Sequence, residues 1–119
     1  MKKENPALDK SYAFALKVVK LSFKIQEERK EYVLSKQLLR SATSIGANTE
    51  EAIGAQSDKD FLHKISIAYK EARESHYWIR LMGDSELIVR DDSENLLLDV
   101  EEILRILGSI QKTLKQKLQ

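Results

Sequence analysis

The feature that most constrains the fold of this chain is the scarcity of residues that interrupt helices. Its 119 residues include four glycines and one proline, and these two residue types mark most turns and loops. Between the few candidate breaks, apolar residues recur at intervals of three and four, which is the period of an amphipathic helix. The sequence therefore predicts an all-α protein.

Four helical segments are expected, and each ends near a turn signal or a change in periodicity. They run from about Leu8 to Ile25, from Tyr32 to Ile53, from just after Ser57 to Met82, and from Ser93 to Leu118. The connection between the second and third segments is short, so these two helices should be antiparallel neighbours. The simplest closure is one domain over residues 1–119, an antiparallel up-down-up-down four-helix bundle.

The second and third helices show the clearest core positions, since their apolar or small residues alternate at spacings of four and three. The seam of the third helix comprises Phe61, Ile65, Ala68, Ala72, Ser75, Ile79 and Met82. The core arc of the second helix comprises Leu34, Leu38, Ala42, Ile45, Thr49 and Ala52. In the fourth helix the core face is set by Leu97, Val100, Leu104, Leu107 and Leu114.

More apolar residues are present than one bundle needs, which predicts self-association. The first helix has a core arc of Leu8, Tyr12, Ala15, Leu16, Val19 and Phe23, and a second stripe about 140° away by helical geometry. That second stripe, together with apolar residues off the core faces of the later helices, predicts an oligomer interface. Its members are Phe14, Val18, Leu21, Ile25, Ile67, Trp78, Leu81 and Ile106.

Polar residues follow one edge of the core arc of the second helix at spacings of three, four and three. This polar column comprises Ser41, Ser44, Asn48 and Glu51. Buried polar groups need hydrogen-bond partners, so one interpretation is a structural network that fixes register. The alternative is a functional site, and the structural interpretation is favoured.

The charge balance argues against a strong polyanion partner, because 20 basic and 19 acidic residues leave a net charge of +1. The distribution is uneven. Residues 1–40 hold ten basic and five acidic residues, and residues 83–102 hold one and eight. A lysine stripe on the first helix is a candidate contact for RNA or DNA, although such a stripe is more often a solvated face. It comprises Lys10, Lys17, Lys20 and Lys24.

Residues that carry chemistry are few. The chain has no cysteine and two histidines, which excludes thiolate metal sites and gives no paired ligand motif of the di-iron bundle type. No apolar run approaches the roughly 20 residues that span a bilayer, and the charged start does not read as a signal peptide. We therefore expect a cytoplasmic protein with no enzymatic activity, cofactor, metal, membrane contact or small-molecule substrate.

The segment from Leu38 to Asn48, followed by Glu51 and Ala52, resembles the signature of a bacterial four-helix-bundle family. That family includes proteins encoded in intervening sequences of 23S ribosomal RNA genes. The resemblance extends over Asp60 to Lys64, Ile67-Ala68, Lys70 to Glu74 and Tyr77-Trp78. It implies an up-down bundle, a ring-like homo-oligomer of five copies, and an interaction or scaffold role without catalysis.

The same family also resembles the accessory protein of diversity-generating retroelements. Those relatives are strongly basic and bind nucleic acid and a reverse transcriptase. A nucleic-acid-binding accessory factor is therefore the alternative function, but this chain departs from the basic pattern with its net charge of +1. Only weak binding of RNA or DNA is expected.

Overall fold

A computed structural model describes residues 5–119, and within this range the chain forms four α-helices and no strand. The all-α prediction is confirmed. Residues 1–4, which include two of the basic residues counted in the first forty, lie outside the described range. The helices are α1 (Pro6–Arg29), α2 (Val33–Ile53), α3 (Asp58–Asp84) and α4 (Arg90–Lys117).

The N-termini of α1 and α2 are capped by side chains that accept backbone N–H groups. Asn5 accepts from Leu8 at 3.2 Å, and Pro6 follows at the first helical position, where it loses no hydrogen bond. The Glu31 carboxylate accepts from the backbone N–H groups of residues 33, 34 and 35 at 2.8–2.9 Å. Partial burial raises the pKa of Glu31, but the hydrogen bonds outweigh it and hold the pKa below its usual value.

The start of α3 is as predicted, because Ser57 Oγ accepts from Asp60 N–H at 3.0 Å. The end of α3 differs from the predicted end at Met82, since the helix continues through Gly83 to Asp84. Gly83 has no positive φ. Its role is steric: a Cβ there would lie 2.8 Å from the Cβ and Oγ of Ser93. Gly83 thus allows α3 and α4 to approach closely. The start of α4 also differs from the prediction, since the helix begins at Arg90, three residues before Ser93.

Each helix packs against the next one in sequence, and α1 also packs against α4, as in a four-helix bundle. Polar contacts link neighbouring helices. Lys10 pairs with Glu102 and Lys17 with Asp99 between α1 and α4, and Ser41 of α2 contacts Ser75 of α3. The buried apolar residues form one core: Ala7, Phe14, Val18, Ile25, Leu38, Ala42, Ile45, Ala52, Ile65, Ala68, Ala72, Ile79, Met82, Ile88, Leu96, Val100, Ile103 and Leu107.

The core positions of α2 and α3 agree with the sequence analysis, apart from Leu34 and Phe61, which are half-buried. The assignment of the two stripes on the first helix is wrong. Phe14, Val18 and Ile25, predicted to form an oligomer interface, are 1%, 0% and 4% exposed and belong to the core. Half of the predicted core arc, Tyr12, Leu16 and Phe23, is instead exposed, and the other half is only half-buried. The physical reason is that the buried face also carries Ala7, Ser11 and Ser22, small residues that let α1 approach its neighbours.

The rest of the predicted interface set does not lie on one face. Leu21, Trp78 and Ile106 are half-buried against the core, Ile67 is half-buried and Leu81 is 39% exposed. In α4 the buried residues include Leu96 and Ile103, which the sequence analysis left outside the core face, whereas Leu97 and Leu104 are half-buried. The seam of α4 is therefore rotated slightly from the predicted one.

Candidate functional site

The most conspicuous surface feature is the outer stripe of α1, which we define as Leu8, Tyr12, Leu16, Val19 and Phe23. Tyr12 is 70% exposed, Leu16 47% and Phe23 60%, while Leu8 and Val19 are half-buried. Their spacing of three and four residues places all five on one side of the helix. By helical geometry the centre of this apolar stripe lies about 120° from the centre of the buried face of α1.

A shallow groove between α1 and α2 adjoins the outer stripe. It encloses about 310 Å³ and is lined by Leu8, Ser11, Tyr12, Ala15, Thr43, Gly46, Ala47 and Glu50. A Cβ on Gly46 would make an ordinary contact with Ser11 Oγ at 3.5 Å, so the packing of the two helices does not require a glycine there. Gly46 lines the groove without contributing a side chain to it.

The lysine stripe predicted to contact nucleic acid is partly neutralised within the molecule. Lys10 Nζ lies 3.0 Å from Glu102, and Lys17 Nζ lies 2.7 Å from Asp99. Lys20 and Lys24 are exposed on the same helix. Two of the four candidate contacts thus connect α1 to the acidic part of α4, and the basic and acidic regions seen in the sequence face each other.

The polar column of α2 divides into three separate contacts. Ser41 Oγ lies 2.8 Å from Ser75 Oγ on α3, in the core. Asn48 Nδ2 donates within its own helix, to the carbonyl and hydroxyl oxygens of Ser44 at 2.9 and 3.0 Å. Glu51 is exposed and pairs with Lys64 at 3.0 Å. The four residues do not form one connected network. The alternative interpretation of the polar column, a functional site, stays a hypothesis.

A charged cluster joins α2 and α3 at the surface beside Trp78. Arg40 pairs with Glu71 at 3.2 Å and with Glu74, and Trp78 Nε1 donates to Glu74 at 3.0 Å. The indole N–H is therefore satisfied within the chain. Tyr77 contacts the Trp78 ring edge-on, with 5.2 Å between ring centroids.

Sequence reasoning missed a second groove, on the outer side of α3 next to α4. It is lined by Arg73, Glu74, His76, Tyr77, Arg80 and Leu104. His76 Nε2 lies 3.0 Å from Glu101 of α4. The sequence signal was the spacing of Arg73, Tyr77 and Arg80, four and three residues apart, which places two cations and an aromatic ring on one helix face.

Residues 5–119 show neither a metal-binding cluster nor a membrane-spanning helix. This part of the chain contains no group of three or more His, Asp or Glu residues placed to hold a metal ion. None of its four helices is long and apolar enough to cross a bilayer.

The chain was compared with known families, curated proteins and solved structures. The family described as 23S rRNA-intervening sequence protein matches residues 3–109. A crystal structure of a Bacteroides thetaiotaomicron protein of unknown function, from the S23 ribosomal protein family, is 48% identical. The match covers 89% of this chain and 98% of that one, with a TM-score of 0.87. No curated protein matches the chain, and the expected relation to the retroelement accessory proteins stays a prediction.

Proposed function

We propose that this chain, which belongs to the family of 23S rRNA-intervening sequence proteins, is a homo-oligomeric interaction or scaffold protein rather than an enzyme. The observation that carries the proposal is the outer stripe of α1, because three of its five apolar residues are exposed and none of the five belongs to the core. The proposed location is the cytoplasm, which the lack of cysteine favours.

The size of the outer stripe supports an interface between copies. At about 200 Å² for each large side chain, the exposed fractions of Tyr12, Leu16 and Phe23 amount to roughly 350 Å². An apolar patch of this size is often functional. One side of a standard interface is about 800 Å², so the neighbouring surface of α1 and the groove over Gly46 would complete it.

We infer that the helices alternate in direction, up-down-up-down. The support comes from cross-helix pairs at all four contacts: Gln26 with Ser35, Ser41 with Ser75, Ser66 with Gln111, and Lys10 with Glu102. In such a bundle α1 has neighbours on two sides and one free outer face. In a ring the outer face of α1 meets a different surface of the next copy, because contact between two identical faces would stop at a dimer, and five is the number of copies that the family resemblance implies.

The proposal is tested by the mass of the protein in solution. Light scattering coupled to gel filtration should give about five times the chain mass of 13.7 kDa. Introducing a negative charge by Leu16→Glu or Phe23→Glu should reduce the mass to that of one chain while circular dichroism stays helical, because both side chains lie outside the core.

A matched control is Leu98→Glu on α4, where the leucine is 68% exposed but lies outside the outer stripe. This variant should keep the wild-type mass. A wild-type protein that remains one chain at tens of micromolar would refute the proposal. If Leu98→Glu dissociated the assembly equally, the assignment of the interface to α1 would be wrong.

A further inference from the structure

We propose that the outer face of α3, with the adjoining part of α4, binds single-stranded nucleic acid. The contact residues are Arg73, Tyr77 and Arg80 on α3, with Lys70 three residues before Arg73 and, on α4, Arg105 next in sequence to Leu104 of the groove. All five side chains are exposed. This surface is separate from both the α1 lysine stripe and the outer stripe of α1, so the proposal does not depend on self-association.

Ion pairing within the chain leaves positive charge on this face. Among residues 5–119, the ion pairs use Lys10, Lys17, Arg40, Lys64, Arg90 and Lys117, and none involves Lys70, Arg73, Arg80 or Arg105. The two carboxylates at the groove have other partners. Glu74 is bound by Arg40 and Trp78, and Glu101 lies against His76. A nearly neutral chain therefore presents a local cluster of cations that can contact phosphates.

An aromatic ring lies within this cluster. Tyr77 is 49% exposed, and the guanidinium of Arg80 lies over its ring at 5.9 Å. Arg73 is one helical turn before Tyr77, and Arg80 is nearly one turn after it. Stacked bases and phosphates alternate along a single strand, and an aromatic platform with flanking arginines matches that alternation.

The ring decides between nucleic acid and an acidic protein segment. A carboxylate gains nothing from the face of an aromatic ring, which carries partial negative charge. A base stacks on an aromatic ring or on a guanidinium plane. In a duplex the base faces are covered by their neighbours, so an unpaired strand is the form that uses Tyr77.

The test is a titration of the full chain with fluorescein-labelled single strands, oligo(U) RNA and oligo(dT) DNA, at low and physiological salt. Arg73→Glu combined with Arg80→Glu should abolish most of the affinity. It should also lower the slope of log K against log salt by about 1.4, the value for two lost phosphate contacts on a single strand. Tyr77→Ala should weaken binding by at least about 5-fold, the lower end for loss of one stacking aromatic.

The control variants carry the same changes elsewhere on the surface. Lys36→Glu combined with Lys115→Glu changes the net charge by the same amount at two exposed positions, and Tyr32→Ala removes another aromatic ring, which is 46% exposed. Both should bind as the wild type does. An equal loss in these controls would overturn the proposal, as would unchanged binding by the arginine variant. Competition by polyglutamate as effective as that by unlabelled oligo(U) would assign the face to acidic proteins and also overturn it. A difference between the RNA and DNA strands would identify the natural nucleic acid.

Discussion

Replacing Phe14 with alanine should destabilise the bundle far more than the same replacement of Phe23, although both belong to α1. Phe14 is 1% exposed and contributes to the core. Removing a buried phenylalanine costs about 3–5 kcal/mol, because the apolar transfer free energy is lost and a cavity remains. For a small domain with a stability of about 5–15 kcal/mol, that is a large fraction.

Phe23 is 60% exposed, so the direct cost of its removal is small. The covered part of a side chain of about 200 Å² is roughly 80 Å², and at ~25 cal/mol per Å² it contributes at most about 2 kcal/mol. Alanine also has the better helix propensity, which offsets several tenths of a kcal/mol. Any larger loss would have to come from contacts between copies, which depend on protein concentration.

The assay is urea denaturation followed by circular dichroism, at a concentration that keeps the protein assembled and at one low enough to dissociate it. The Phe14→Ala deficit should be present at both concentrations. The Phe23→Ala deficit should shrink to at most about 2 kcal/mol in the dilute sample. If, in the dilute sample, Phe23→Ala lost as much unfolding free energy as Phe14→Ala or more, the assignment of the two stripes would be refuted.

Three further predictions concern packing and caps. Gly83→Ala should destabilise the protein, since its Cβ would lie 2.8 Å from Ser93, and thermal unfolding will show a lower Tm. Ser22 Oγ is buried with no hydrogen-bond partner in residues 5–119, so Ser22→Ala should leave the free energy of unfolding unchanged or raise it by about 1 kcal/mol. Ser41→Ala should instead lower it by about 1 kcal/mol, because it breaks the contact with Ser75 of α3. Glu31→Gln should cost about 1 kcal/mol near neutral pH by weakening the cap of α2. The folded-state pKa of Glu31 is lowered, so this contribution exists above the pKa of the unfolded chain and is lost as pH falls through the folded pKa. Urea titrations at neutral and acidic pH should show the difference from wild type disappearing in acid.

The groove between α3 and α4 was not predicted from the sequence. The spacing of Arg73, Tyr77 and Arg80 is visible in the sequence, but nothing there shows which acids neutralise which bases. Lys10 and Lys17 have the same local appearance as Lys20 and Lys24. Only the packing of α4 against α1 assigns Glu102 and Asp99 to the first two.

The set of helices and the core faces of α2 and α3 could be predicted from the sequence alone. Those faces depend on local periodicity, and the Ser57 cap depends on residues within one turn, so no distant contact is needed to read them. The tertiary structure decided which of two apolar stripes on α1 is buried. The seam that packs inward alternates Ala7, Ser11, Phe14, Val18, Ser22 and Ile25, and its serines look polar in a sequence. Small side chains are what a close approach to a neighbouring helix requires, and only the presence of that neighbour makes them better core residues than the large aromatics on the other side.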